Sequence, residues 1–289
     1  MNAKTFLCKK VMSCKNGSYA VARYYPYSEA EQAAVRRLRK PKYKETLPKV
    51  KVMNDRRSRD LFEWLLQNNF DVGDLFLTLT FGAKLSAEDR QRLFTNFLKR
   101  LRRLYKKIGL QLKYIAVTET GERNDNLHYH LIVNSVGGAI TADEIRSLWG
   151  ENFCDIRTIS KRKDGLLGLA IYLMKEQQNT DKFKRSWTCS KNLRRPEITV
   201  DKTATVPKKH LKKILNAQRN DEVEKLVEEQ LFKGWKLVSH SISINEVTGR
   251  PYVQFKLIRK SKLPPEEDKN YDEYIRPIAV DTSDYESIL

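Results

Sequence analysis

The chain has 289 residues and is basic: 55 Lys and Arg stand against 36 Asp and Glu, for a net charge of +19 and a pI near 9.7. Hydrophobic residues make up 40%, enough for a folded core, and the mean hydropathy is −0.62; no run of about 18 apolar residues can span a bilayer, and MNAKTFLCKK lacks the apolar stretch of a secretory signal. A membrane or secreted protein is set aside, and a cytoplasmic one with a polyanionic partner is expected, because each phosphate neutralised by Lys or Arg releases counterions.

The charge is unevenly spread. Pro264 to Leu289 holds eight acids and two bases, so the rest is more basic than the whole, and the tail is expected to be disordered. Cys8, Cys14, Cys154 and Cys189 lack CxxC spacing and read as reduced thiols, neither a disulfide framework nor a zinc ribbon.

Lys4 to Tyr25 reads as a hairpin around Lys15-Asn16-Gly17. A charged helical piece, Ser28 to Lys40, and a basic linker through Lys51 follow. Asn54 to Asn69 reads as an amphipathic helix with Leu61, Phe62, Trp64, Leu65 and Leu66 on its apolar side. Leu75 to Phe81 is a strand. Ser86 to Ile108 is a basic helix opened by an S-x-x-D cap, Ser86 to Asp89. Lys113 to Thr120 and Leu127 to Asn134 are strands, Thr141 to Trp149 a short helix, Asn152 to Ile159 a strand, and Leu166 to Gln178 a helix. The order βαββαβα predicts an α+β fold, a ferredoxin-like or RRM-like antiparallel sheet with helices on one face and the other left for a ligand. Beyond it lie a basic stretch, Lys182 to Lys213, a charged helix near Asn220 to Phe232, and a hairpin of Trp235 to Ile244 and Tyr252 to Ile258.

Within the apolar strand Leu127 to Val133 stands His128-Tyr129-His130. Side chains alternate along a strand, so both histidines share a face about 7 Å apart, and Tyr129 takes the other. An isolated pair of this kind is more often incidental than a metal site, but these are two of only four histidines. If Thr120 pairs with Leu127 across the turn Gly121 to Asn126, Glu119 lies opposite His128 on the same face. Two imidazoles and a carboxylate suit Mn²⁺ or Mg²⁺, with Zn²⁺ also within their chemistry, and leave room for a phosphate oxygen. Glu119 is the preferred third ligand; Glu122, in the turn, is its rival.

Tyr172 is the candidate nucleophile. On a helical wheel Leu166, Leu167, Ala170, Leu173 and Met174 gather on one side and Tyr172 on the opposite side, next to Gly168 and Lys175. A tyrosine among apolar residues is usually core; this one points away from the stripe. Lys175 can favour the phenolate or hold a phosphate.

His128-Tyr-His130, preceded by Phe76-Leu-Thr-Leu-Thr-Phe81 and followed by Tyr172-Leu-Met-Lys175, resembles the three ordered motifs of HUH endonucleases, in particular single-tyrosine rolling-circle replication initiators (Rep proteins) of bacterial mobile elements and phages. Asn69-Phe70, Gly73-Asp74, Ser186-Trp187 and Ser190-Lys191-Asn192-Leu193 share that likeness, which covers Asn54 to Pro196. The resemblance implies that metal held by His128, His130 and Glu119 polarises a phosphate which Tyr172 attacks. A 5′-phosphotyrosine and a free 3′-hydroxyl result, with Lys175 positioning the substrate. Its partners would be single-stranded DNA at an origin hairpin or nick site and, since no GxxxxGK[ST] loop is present, a host helicase and polymerase, with no nucleotide cofactor and no membrane. Arg100, Arg103, Lys106, Trp187, Arg194 and Arg195 are the candidate DNA contacts, phosphates for the cations and a base for the tryptophan.

The segments expected are 1–53, an N-terminal hairpin and basic extension; 54–180, the HUH endonuclease domain; 181–263, a basic C-terminal region with a hairpin; and 264–289, the acidic tail. Two readings compete: a non-catalytic RRM-like nucleic-acid-binding protein, and a metal-dependent hydrolase with water as the nucleophile. A relaxase or transposase of the same superfamily is the nearer alternative.

Overall fold

The computed structural model describes residues 6–13, 17–27, 48–82, 85–120, 127–150, 152–160, 164–175, 187–201, 208–217, 219–244, 251–263 and 275–277. It is a mixed α+β chain with two antiparallel sheets, and its contacts divide it into two compact units. The first comprises residues 1–68, 163–165 and 194–264; the second comprises 69–162, 166–193 and 265–289.

In the first unit, β1 (Phe6–Ser13) and β2 (Tyr19–Tyr27) form the N-terminal hairpin. The long helix α1 (Pro48–Asn69) follows, and the second unit is then threaded before the chain returns. With β8 (Glu197–Asp201), β9 (Trp235–Ile244) and β10 (Pro251–Arg259), the sheet order is β8-β1-β2-β10-β9. One face of this sheet, Ala22, Tyr24, Leu237, Val253, Phe255 and Leu257, packs with Ile214, Val223 and Leu226. These three come from α5 (Lys208–Asn216) and α6 (Asn220–Leu226), the latter running into a π-helical turn at Val227–Leu231.

The other face is polar for its depth. Tyr19 Oη and Lys256 Nζ both donate to Glu63 of α1, and Arg23 donates to Asp60 and to Gln254 Oε1. Buried charges are tolerated because each meets an opposite partner. Gly165 sits beside Gln67 at φ +67°, where an added Cβ would lie 2.5 Å from Gln67 Oε1 and 2.9 Å from Ile258 Cδ1. Only glycine fits that position. The charged piece from Ser28 to Lys40 lies outside the described residues.

The second unit carries the expected pattern. Its elements in common with the sequence reading are β3 (Leu75–Thr80), α2 (Ala87–Lys107), β4 (Tyr114–Thr120), β5 (Leu127–Val133), α3 (Ala142–Trp149), β6 (Cys154–Ile159) and α4 (Leu167–Lys175). Two short strands, β7 (Trp187–Cys189) and β11 (Ile275–Pro277), flank them, and the sheet order is β11-β6-β3-β5-β4-β7. Its central four strands, taken in chain order, run fourth, first, third, second, the ferredoxin-like arrangement. Leu77, Leu79, Tyr129, Leu131, Val133 and Ile156 turn to one face and bury Phe94, Phe97, Leu98, Leu101 and Tyr105 of α2 with Ile145 and Trp149 of α3. Tyr129 stacks on Phe94 with ring centroids 4.1 Å apart, which settles it as core. Burial pushes the Cys154 thiol up to about 12, so it serves as a packing residue.

The tail departs from expectation. Strand β11 lies inside the segment expected to be disordered, yet it pairs with β6, Ile275 facing Ile159 and Pro277 facing Arg157. The open edge of β6 supplies unpaired backbone groups there, and a proline is tolerated in an edge strand. The rest of the tail lies outside the described residues.

Both helix starts are capped by sequence-encoded devices. Ser86 Oγ accepts from Asp89 N, and Thr141 forms a capping box with Glu144. Thr141→Ala should cost about 1 kcal/mol of stability, read as a lower urea midpoint with an unchanged slope. An unchanged midpoint would show that packing alone sets α3.

Candidate functional site

The site is built on the sheet face opposite α2 and α3. On β3, Phe76, Thr78 and Thr80 point to it; on β5, His128, His130 and Ile132; on β4, Ile115, Val117 and Glu119. The hairpin register is the expected one, Thr120 with Leu127 and Glu119 with His128. Two rows result across the strands: Thr80–His128–Glu119, and Thr78–His130–Val117–Trp187, the last from β7.

This face is not bare. Phe76, Ile115, Val117 and Ile132 are buried, His130 is buried too, and its ring stacks on Phe76 at 5.3 Å. His128 is only half-buried. A gradient therefore runs along the strands, from an apolar floor to an accessible end where the histidines and the carboxylate stand.

The imidazoles are oriented by threonines that the sequence did not flag. Thr80 Oγ1 lies 2.8 Å from Nδ1 of His128, and Thr78 Oγ1 lies 3.2 Å from Nδ1 of His130. Glu119 contacts Nε2 of His130. A carboxylate only accepts, so in a neutral ring Nε2 carries the proton and Nδ1 accepts from the Thr78 hydroxyl. A hydroxyl both donates and accepts, so Thr78 can also support the opposite tautomer, with Nε2 free to bind a cation. Among the described residues, no three His, Cys, Asp or Glu side chains are drawn together as a ready metal cage. Glu119 is instead engaged with His130. Glu122, the rival carboxylate, lies outside the described residues.

Tyr172 comes from α4. Leu167, Leu169, Ala170 and Leu173 are buried, while Ile171 and Tyr172 are exposed, Tyr172 at 46%. The wheel's prediction that Tyr172 avoids the apolar stripe is thus the observed arrangement. Its ring lies 6.5 Å from that of His130, so a residue 42 positions on in sequence meets the histidine strand in space. Lys175 ends the helix, and its side chain lies outside the described residues.

The candidate DNA contacts divide. Trp187 is half-buried and level with Val117 and His130, on the site's own face. Arg100, Arg103 and Lys106 are exposed on α2, across the sheet from the histidines, and Arg100 donates to Leu148 O at 3.1 Å. They do not join this site. Arg194 and Arg195 are exposed in the first unit. No helix among the described residues is long and apolar enough to cross a membrane.

The fold and site define a ferredoxin-like α+β unit bearing two histidines and a glutamate on one sheet face, with a tyrosine beside them. Residues 74–178, which span β3 through α4, match the family model of the replication-associated protein ORF2. No curated protein matches the chain. Among solved structures, the crystal structure of the hypothetical protein ORF119 from Sulfolobus islandicus rod-shaped virus 1 is 16% identical. That alignment covers 44% of this chain and 97% of that one at a TM-score of 0.31, too loose a superposition to carry an argument.

Proposed function

We propose that the chain initiates replication by nicking single-stranded DNA with Tyr172. The observation that carries this reading is the approach of the Tyr172 ring to His130, on a face that also presents His128 and Glu119. The family match over residues 74–178 supports a replication role.

In this reading the Tyr172 oxygen forms a bond to the scissile phosphorus, the bond from phosphorus to the 3′-oxygen breaks, and the phenolic proton leaves. The products are a 5′-phosphotyrosine and a 3′-hydroxyl that has taken up a proton. The donor set fits a hard divalent ion, Mn²⁺ or Mg²⁺, with His128, His130 and Glu119 as its holders. Such an ion would polarise a phosphate oxygen. The protein's part is to fix the rings through Thr78 and Thr80, to move the Nε2 proton of His130 to Nδ1 as Glu119 turns from it, and to set Tyr172 beside the phosphate. Lys175 would hold the phosphate. The 3′-hydroxyl would prime a host polymerase while a host helicase separates the strands.

The direct Glu119–His130 contact favours a second reading, an RRM-like module that binds a strand without cutting it. The two are separated by incubating the chain with single-stranded origin DNA and Mn²⁺, then running a denaturing gel. A protein–DNA band that survives SDS and vanishes with EDTA supports nicking. Cleaved DNA without an adduct points to hydrolysis by water. Binding without cleavage leaves the module.

A further inference from the structure

The site face carries an exposed aromatic residue that the proposed chemistry does not use. Phe153 lies just before β6, and Thr80 N donates to its carbonyl at 2.9 Å. That bond extends the β6–β3 ladder by one residue, which puts Phe153 level with Thr80 in the row Thr80–His128–Glu119. Alternation agrees: Cys154 turns to the helix face and is buried, whereas the phenyl ring of Phe153 turns to the site face and is 66% exposed.

The backbone beneath the ring is held from several sides. Trp149 Nε1 donates to Thr80 O at 3.0 Å, Gly82 N to Asn152 Oδ1 at 2.9 Å, and Asn152 Nδ2 to Trp149 O at 3.2 Å. An apolar ring is thus presented to solvent on a fixed platform. Single exposed apolar residues are common on protein surfaces and by themselves signify little. This one differs in its alignment. Strands lie about 4.8 Å apart, so Phe153 stands two strands, or about 10 Å, to one side of the histidine strand. Trp187 stands two strands to the other side. Two aromatics therefore bracket the histidines across the sheet.

Resting on the single-strand reading above, we propose that Phe153 is a stacking platform for a nucleobase flanking the phosphate at the histidine pair, with Trp187 the counterpart on the opposite margin. Each base has a π-face, so such a platform grips a strand without selecting its sequence. It is a positioning residue: it sets where along the strand the phosphate meets Tyr172.

Binding is measured by fluorescence anisotropy with two probes, a single-stranded oligothymidylate and an abasic deoxyribose-phosphate chain of equal length and charge. EDTA is present, so cleavage plays no part. The full chain should prefer oligothymidylate. Phe153→Ala should weaken that binding by about tenfold, leave binding of the abasic chain unchanged, and leave the thermal midpoint unchanged; Phe153→Trp should restore the loss. Equal affinity of the unaltered chain for the two probes would overturn the proposal, as would a Phe153→Ala loss of the same size on both. The adduct gel reports on Tyr172 and not on this, so nicking and stacking fail separately.

Discussion

Tyr172→Phe is expected to leave the chain folded and its affinity for a single strand unchanged, while the SDS-stable adduct and the nick disappear, a fall of at least about 10³-fold in rate. The substitution removes one oxygen and keeps the ring that meets His130. The helix that carries it is seated by Leu167, Leu169, Ala170 and Leu173, none of which is touched. At about 1.4 kcal/mol per decade, 10³ corresponds to roughly 4 kcal/mol of transition-state stabilisation, more than the loss of a half-exposed phenolic hydroxyl would cost through packing. Nicking that persists at the original rate in Tyr172→Phe, with binding also unchanged, would dismiss the tyrosine mechanism and leave hydrolysis or another nucleophile.

Much of this site was legible before the structure. Alternation along Leu127–Val133 put both histidines on one face, and a six-residue turn was enough to set the register that brings Glu119 opposite His128. Helical periodicity placed Tyr172 away from the apolar stripe. These signals are local, each contained within about ten residues. What escaped is non-local. That Thr78 and Thr80 orient the imidazoles depends on β3 lying next to β5, with β4 on the other side, and a strand order has no local signature. Phe153 escaped for the same reason, since its level with His128 runs through β3. The far-side position of Arg100, Arg103 and Lys106 needed the packing of α2. The first unit illustrates the limit most plainly: Tyr24 of the N-terminal hairpin pairs with Val253, and Met12 with Ile198. Each hairpin reads from its own pattern, while their union in one sheet rests on pairings across most of the chain.

The histidine pair yields the second large effect, and a graded series distinguishes a metal role from a structural one. His128 is half-buried, so His128→Ala can be made without opening the core, whereas His130 stacks on Phe76 and its removal would leave a void. His128→Ala should lower metal-dependent nicking by about 10³-fold. Thr80→Val keeps the volume and removes the oxygen 2.8 Å from Nδ1; loss of such an outer partner typically costs roughly 10–100-fold in metal affinity or activity. The series has a readout besides cleavage. An ion that binds only the folded chain raises its thermal midpoint by mass action, so Mn²⁺ should stabilise the unaltered chain, stabilise Thr80→Val only at higher concentrations, and leave His128→Ala where it was. Raising Mn²⁺ should also restore nicking by Thr80→Val but not by His128→Ala. If Mn²⁺ shifts all three midpoints equally, the ion binds elsewhere, and His128 and Thr80 belong to the packing of β3 on β5 instead of to a metal site.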